Sequence, residues 1–221
     1  MQADIIVMKR VIIFLICIAI PLYAQEVLRG EVKIELEQVR GFLVEETHPL
    51  NLAEAKKAGL EDAARYFGAM IYGWSFNYEV GEKARKIEEK LELVPLGSIN
   101  SDDPRLILTD IQMNGPNMHL WVDYRPGEAQ LYRLGKWKAG STRTAQGYGE
   151  SPLEDKYGAL EDAARATIRA MLRGSERNRP KEASGFISLA AFPQYWLKSG
   201  QWAAFGRFRV DIEEIRPFAA Y

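Results

Sequence analysis

The feature that most constrains this chain is a six-residue sequence that occurs twice. Leu60–Arg65 and Leu160–Arg165 both read Leu-Glu-Asp-Ala-Ala-Arg and lie one hundred residues apart. At the same spacing, Glu154 matches Glu54. An identity of this length at a fixed spacing indicates an internal repeat in which each copy is one structural unit. The chain is therefore expected to contain two similar units.

The amino terminus has the pattern of a secretory signal peptide. Lys9–Arg10 is a short basic region, Val11–Ile20 is an apolar run of ten, and Ala24 is a small residue at a plausible cleavage position. A membrane-spanning helix needs about 20 apolar residues, so this run is too short to be a good anchor. The sequence predicts a signal peptide over residues 1–24, a mature chain that begins at Gln25, and a periplasmic location.

The only cysteine, Cys17, lies inside that apolar run. After cleavage the exported chain would have no thiol and no disulfide bond. A lipoprotein signal has a small residue before its cysteine, whereas Ile16 stands there, so lipidation is not expected. The sequence leaves open whether Met1 or Met8 is the start.

Hydrophobic periodicity predicts a strand and then a helix in the first unit. Val32, Ile34 and Leu36 alternate with charged residues, which is typical of a half-buried strand. Asn51 and Glu54 have the spacing of a capping box and predict the start of a helix that runs to about residue 72.

The rest of the first unit is predicted to be mainly β. Residues 75–80 alternate like a strand, and two apolar runs around 113–117 predict a hairpin that ends at Tyr124. Residues 82–93 are ambiguous, and a helix is favoured there over an exposed strand. The first unit is placed at residues 25–126.

The second unit, residues 127–221, is predicted to repeat this order. Residues 129–141 are interpreted as a connecting strand, and a further strand follows over 142–149. For the second helix, Ser151 is the predicted cap and Pro152 the first helical residue. Gly174 is the predicted end of that helix.

Two further apolar runs, 185–192 and 202–212, predict a second hairpin. The predicted fold class is α+β. Each of the two similar units packs a long helix on an antiparallel sheet and ends in a β-hairpin.

The order of these elements resembles the twenty-kilodalton outer-membrane lipoprotein family, to which the amino-terminal domain of the flagellar assembly protein FlgT is similar. The residues that carry the resemblance are Ala145–Gly149, Ala159–Arg165 and the run from Gly200 to Val210. The resemblance implies an envelope protein that works through protein contacts, with flagellar or surface-organelle assembly as one role. It implies no catalytic residues and no cofactor.

Candidate catalytic groups are few, and the sequence predicts that the protein is not an enzyme. The mature chain has two histidines, His48 and His119, and no cysteine, so a zinc site is not expected. Glu61–Asp62 and Glu161–Asp162 are repeated acidic pairs, but the buried stripe of each helix is expected to leave them facing solvent. Gly147–Gly149 is interpreted as a tight turn close to a helix rather than a phosphate loop.

The candidate interaction residues combine a basic loop with exposed aromatics. They are Arg173, Arg177, Arg179, Lys181, Trp196 and Trp202. Basic residues and tryptophans of this kind are typical of protein interfaces. The function predicted from them is a non-catalytic structural or assembly factor of the envelope. The alternative is a periplasmic binding module for a small or anionic ligand.

Charge is distributed unevenly between the two predicted units. Residues 25–126 carry 12 basic and 18 acidic side chains, net −6, whereas residues 127–221 carry 15 basic and 11 acidic ones, net +4. The near balance of the whole chain does not indicate a nucleic-acid-binding protein. The opposite charges predict either contact between the units of one chain or a head-to-tail homo-oligomer, held partly by the basic loop.

Overall fold

The computed structural model describes residues 26–37, 50–81, 88–138, 141–175 and 180–217. Its helices are α1 (Leu52–Ile71), α2 (Glu128–Trp137) and α3 (Lys156–Ser175). Its strands are β1 (Leu28–Glu35), β2 (Trp74–Glu79), β3 (Lys90–Pro95), β4 (Leu106–Asn114), β5 (Asn117–Tyr124), β6 (Arg143–Pro152), β7 (Glu182–Leu189), β8 (Gln194–Lys198) and β9 (Gln201–Arg216). All strand pairs are antiparallel, so the predicted α+β class is confirmed.

The strands form two sheets. The smaller has the order β1-β5-β4, and the larger has the order β3-β2-β7-β9-β6, with β8 pairing the first residues of β9. Strands β2 and β7 pair with Trp74 opposite Ile187 and Glu79 opposite Glu182. The larger sheet therefore contains strands from both halves of the chain. The division into two units at residues 126 and 127 stays a prediction.

Helix α1 begins and ends as the sequence predicts. Asn51 Oδ1 accepts hydrogen bonds from the N–H groups of Ala53 and Glu54 at 2.9 and 3.0 Å, and Glu54 Oε2 accepts one from Asn51 N–H at 3.0 Å. These bonds satisfy backbone donors that the first helical turn leaves free. Gly73 has φ +66°, a left-handed conformation that favours glycine and ends the helix.

Helix α3 begins later than the sequence predicts. Ser151 and Pro152, the predicted cap and first helical residue, instead belong to β6, where they pair with Trp202 and Gln201. The cap is Asp155, whose Oδ1 accepts a hydrogen bond from Gly158 N–H at 2.8 Å. Pairing with β9 is a long-range interaction that the local capping pattern does not contain.

The predicted connecting strand over 129–141 is wrong, because Glu128–Trp137 form helix α2. Gln130, Leu134 and Trp137 are buried at spacings of four and three, which is a helical stripe. The side-chain oxygen of Gln130 accepts a hydrogen bond from Gly127 N–H at 2.9 Å at the start of the helix.

The helix favoured over 82–93 is also wrong where the structure describes that segment. Residues 90–95 form β3, an edge strand in which Leu91 and Leu93 are half-buried while Lys90, Glu92 and Val94 are exposed. Period-two burial of this kind is that of a strand with one covered face. Residues 82–87 lie outside the described part of the chain.

The second predicted hairpin is incomplete. Its two runs do pair, as β7 and β9, but β8 lies between them in sequence and forms the tight hairpin with β9. Ser199 and Gly200 turn that hairpin with φ of 50° and 83°.

Helix α3 lies very close to β6. A side chain at Gly147 would overlap the carbonyl oxygen of Ala163, and one at Gly149 would overlap backbone atoms of the same helix. The glycines therefore let α3 approach the sheet closely, as predicted, although Gly147–Gly149 lie within a strand rather than a turn. The core residues Phe76, Ile187 and Phe208 are buried on this covered side.

Candidate functional site

The larger sheet has a second face that no helix of the described residues covers. Its side chains alternate with the buried ones along each strand and are mostly exposed or half-buried. We call this surface the open sheet face. It includes Asn77, Glu79, Tyr148, Glu150, Glu182, Ser184, Ser188, Trp196, Lys198, Phe205, Arg207, Arg209, Glu214 and Arg216.

One end of the open sheet face carries an ordered aromatic and charged cluster. Tyr148 is 39% exposed and Trp196 is 40% exposed, with ring centroids 5.9 Å apart. Lys198 Nζ lies 2.7 Å from Glu150 Oε1, and Tyr148 donates a hydrogen bond to the same carboxylate. The hydrogen bond from Lys198 lowers the pKa of Glu150, and that to Glu150 raises the pKa of Lys198. The cluster thus presents two fixed aromatic rings to solvent.

Two arginines extend this end along β9. Arg209 is half-buried beside its cross-strand neighbours Thr144 and Ser188, and burial lowers the pKa of its guanidinium. Among the described residues, neither Arg209 nor Arg207 forms an ion pair, and the buried hydroxyl of Ser188 has no hydrogen-bond partner. Within the described part of the chain, no ion pair therefore balances the charge of these two arginines.

The other end of the face is a shallow acidic groove of about 190 Å³. It is lined by Asn77, Tyr78, Glu79, Glu182, Ala183, Ser184, Glu214 and Arg216. Glu182 forms ion pairs with Lys181 at 3.2 Å and with Arg216 at 3.1 Å, which lower its pKa. Glu79, directly opposite Glu182, forms no ion pair within the described residues.

A separate polar cluster joins α1 to the start of α3. The carboxylate of Asp62 is 2.5 Å from Lys156 Nζ and accepts hydrogen bonds from the hydroxyls of Tyr157 and, at 3.3 Å, Tyr66. Asp62 is only 5% exposed, so the prediction that it faces solvent is wrong. Its partner Lys156 lies 94 residues away, beyond the reach of a helical periodicity argument.

The tyrosines of this cluster are held in their neutral form. Burial, reinforced by the charge of Asp62, raises the pKa of Tyr66, Tyr157 and Tyr195. Neutral phenols donate hydrogen bonds to a carboxylate but are poor nucleophiles. With three donors on Asp62, the arrangement joins two elements rather than leaving a base open to a substrate.

The other acidic residues of the repeated sequence lie in different surroundings. Glu61 is half-buried, and Glu161 forms an ion pair with Arg165 on α3 at 3.1 Å. Asp162 is half-buried and accepts a hydrogen bond from Glu150 N–H at 3.3 Å. Equivalent positions in the two copies therefore make different contacts.

The predicted interaction residues are spread over the molecule. Arg173 is exposed on α3 and Lys181 is exposed before β7, while Arg177 and Arg179 lie outside the described residues. Trp196 is on the open sheet face, whereas Trp202 is half-buried on the covered face, where its Nε1–H donates a hydrogen bond to the Leu153 carbonyl at 3.0 Å. Sequence reasoning missed Tyr148, Arg207 and Arg209, although their period-two spacing on one face of β6 and β9 was available.

The histidines and possible metal ligands add no further cluster. His119 Nδ1 lies 2.6 Å from Glu31 Oε1 on the smaller sheet, and His48 is outside the described residues. No three of the His, Cys, Asp and Glu side chains in the described ranges are grouped to hold a metal ion. Within the same ranges, no helix is both long and apolar enough to cross a membrane.

Comparison with known proteins identifies a family but no activity. A curated protein of Treponema pallidum (strain Nichols), titled "Uncharacterized protein", is 26% identical over 165 residues, which is 73% of this chain and 69% of the relative. No solved structure matches the chain. A protein-family model matches residues 20–218. Because that match covers nearly the whole chain, the protein belongs to this family.

Proposed function

We propose that this chain is an exported, non-catalytic protein of the cell envelope that acts as a structural or assembly factor. It works in the periplasm, at the outer membrane, through protein-protein contacts. Flagellar or other surface-organelle proteins are the partners that the sequence resemblance implies. The proposal rests on the open sheet face, with its exposed aromatics and with two arginines that pair with no acidic group in the described ranges.

The composition of that face supports protein contact. Trp, Tyr and Arg are the residues that most often dominate binding energy at interfaces. Tyr148 and Trp196 lie side by side and project from neighbouring parts of β6 and β8, so they form one patch rather than scattered exposed residues. A rigid sheet holds this patch in place before a partner arrives, which lowers the entropic cost of binding.

A photocrosslinking experiment in the native cell tests the partner claim. A photoreactive amino acid at Trp196 should form an adduct with an envelope or flagellar protein, and the same group at Tyr132 should not. Tyr132 is the matched control because it is 69% exposed on α2, away from the open sheet face. Adducts only with cytosolic proteins, or equal adducts from both positions, would contradict the proposal.

Export is tested separately by sequencing the amino terminus of the protein from native cells. The expected first residue is Gln25, because Ala24 ends a short apolar run behind Lys9–Arg10. Recovery of uncleaved protein from the cytosol would contradict the proposed periplasmic location.

A periplasmic binding module for an anionic ligand is the alternative. Arg209 favours it, because a half-buried guanidinium that forms no ion pair within the described residues is suited to bind a carboxylate or phosphate. Citrate or phosphate should then raise the melting temperature of the native protein, and Arg209→Gln should abolish that rise. Absence of any thermal shift with either anion counts against this alternative.

A further inference from the structure

The open sheet face is charged with opposite sign at its two ends. Arg207 and Arg209 lie two residues apart on β9 and therefore point to the same side, next to the aromatic cluster. Glu79 and Glu182 face each other across β2 and β7 at the other end. Like charges placed together in this way are unfavourable within one chain.

The acidic end is shaped to receive a cation. Its groove has a volume of about 190 Å³ and is lined by the carboxylates of Glu79, Glu182 and Glu214. Lys181 and Arg216 neutralise part of this charge, through Glu182 and Glu214. Lys90 lies opposite Glu79 on β3, but its ammonium forms an ion pair with Glu92 at 3.0 Å, so this end still has more carboxylates than cations. A guanidinium from outside the chain would fit the remaining charge and can bind a carboxylate with two hydrogen bonds.

We infer that the open sheet face binds a second copy of this chain, face to face, about a two-fold axis. Arg207 and Arg209 of each copy lie over the groove of Glu79, Glu182 and Glu214 in the other. A two-fold axis makes this contact twice, so both ends of both faces are neutralised together. The inference rests on the proposed role of the face in protein contact and names a second copy of the chain as one partner of that face.

Packing of this kind is consistent with how sheets associate. Two sheets that pack face to face align their strands within about 30° and interdigitate side chains across about 10 Å. In that arrangement Tyr148, Trp196 and Phe205 pack against the partner's face beside the ion pairs. The apolar contact supplies affinity, and the charges select the orientation.

The area of the open sheet face indicates how tightly the two copies should bind. The sheet path has five strands. With a width of about 4.8 Å and a length of about 20 Å for each strand, the projected face is about 500 Å² per copy. A stable interface buries about 800 Å² per partner, so this contact is at the small end. We therefore expect a concentration-dependent dimer with a dissociation constant of about 1 µM.

The two-fold geometry differs from the head-to-tail assembly that the charges of the two halves predict. Head-to-tail contacts produce rings or open chains, whereas a self-complementary face is buried in both copies of a dimer, so that no further copy can bind there. Sedimentation velocity of the purified protein across about 1–100 µM distinguishes them. We expect monomer and dimer only, with the dimer weakening as salt rises, because these ion pairs are partly exposed.

Charge reversal identifies the face. Arg207→Glu/Arg209→Glu should weaken the dimer by about 100-fold or more, as should Glu79→Arg/Glu182→Arg. An equimolar mixture of the two variants should restore a dimer, because each reversed end then meets its complement. Lys56→Glu/Lys57→Glu is the matched control, since it changes the charge equally on the exposed side of α1 and should leave the dimer unchanged.

Each other outcome overturns the inference. A native protein that stays monomeric at 100 µM (about 100 times the expected constant) in low salt has no such interface. Larger oligomers establish the head-to-tail geometry instead, and a dimer that both reversals leave intact uses another surface. The native measurement stands even if a variant fails to fold. A monomer leaves the crosslinking test of an envelope partner untouched, so the two proposals fail separately.

Discussion

Asp62 of α1 and Lys156 of α3 form an ion pair of 2.5 Å that connects the two halves of the chain. Both side chains are largely removed from water, with 7% and 21% of their surface exposed. Arg65, three residues after Asp62, stacks its guanidinium 3.8 Å above the ring of Tyr157, next to Lys156. The two repeated helices are thus joined at one polar cluster rather than only by apolar packing.

Loss of the Asp62 charge should therefore destabilise the fold. Asp62→Asn keeps the shape of the side chain but leaves the half-buried Lys156 without its ion-pair partner, which we expect to lower the unfolding free energy by about 2–3 kcal/mol. Asp162→Asn is the control at the equivalent position of the repeat, where the carboxylate only accepts a backbone N–H at 3.3 Å. In urea unfolding, the control should lose about 1 kcal/mol or less of unfolding free energy. If Asp62→Asn and Asp162→Asn lost the same amount, the ion pair with Lys156 would not explain the destabilisation.

The approach of α3 to β6 gives a second prediction. Gly147→Ala places a methyl group against the backbone carbonyl of Ala163 and the hydroxyl of Thr167 on α3, so we expect the unfolding free energy to fall by about 3 kcal/mol. Gly135→Ala in α2 meets nothing within 4 Å and should instead stabilise by about 0.5–1 kcal/mol through helix propensity. Thermal unfolding of both variants measures the contrast, and a neutral Gly147→Ala would mean that the helix can move away.

Short-range sequence patterns correctly predicted the structural features that depend on residues close together in the chain. Asn51 and Glu54 form the capping box that their spacing indicates, and Gly73 ends the same helix. The α+β class and the hairpin of β4 and β5 follow from similar short-range patterns.

The failures concern contacts between residues distant in sequence. Ser151 has the pattern of a helix cap, but its pairing with Trp202 extends β6 instead. Asp62 has the pattern of a solvent-facing residue, but Lys156 and Tyr157 approach it from the other half of the chain. The open sheet face depends on the order of strands in the larger sheet, which hydrophobic periodicity does not encode.

The two tryptophans predicted as interaction residues should respond differently to substitution. Trp202→Ala removes a half-buried ring and its hydrogen bond to the Leu153 carbonyl, so we expect a loss of about 2–4 kcal/mol in unfolding free energy. Trp196→Ala removes an exposed ring on the open sheet face and should cost about 1 kcal/mol or less. Urea unfolding tests both. A large loss for Trp196→Ala would indicate that this ring serves the fold rather than a partner.

Acid should weaken the fold partly through Asp103. The Arg105 side chain donates two hydrogen bonds to Asp103, at 3.0 and 2.7 Å, and lowers the pKa of that carboxyl from 3.8 to about 2. A carboxyl whose pKa is lower in the folded protein stabilises it above the unfolded pKa, and this stability is lost as the pH falls through the folded pKa. The contribution of Asp103 is therefore present above about pH 4 and disappears towards pH 2.

The size of this effect is limited by solvent. Because Arg105 is 44% exposed, water and salt screen the ion pair, and we expect it to contribute about 1 kcal/mol or less to the unfolding free energy. Asp103→Asn should lower the unfolding free energy by that amount at pH 6 and by nothing near pH 2, as measured by urea unfolding at each pH. Asp102→Asn is the control, because it removes the neighbouring charge, and its carboxylate accepts no hydrogen bond within the described residues. A difference between Asp103→Asn and the native protein that stays constant from pH 6 to pH 2 would contradict the role of the Arg105 contact.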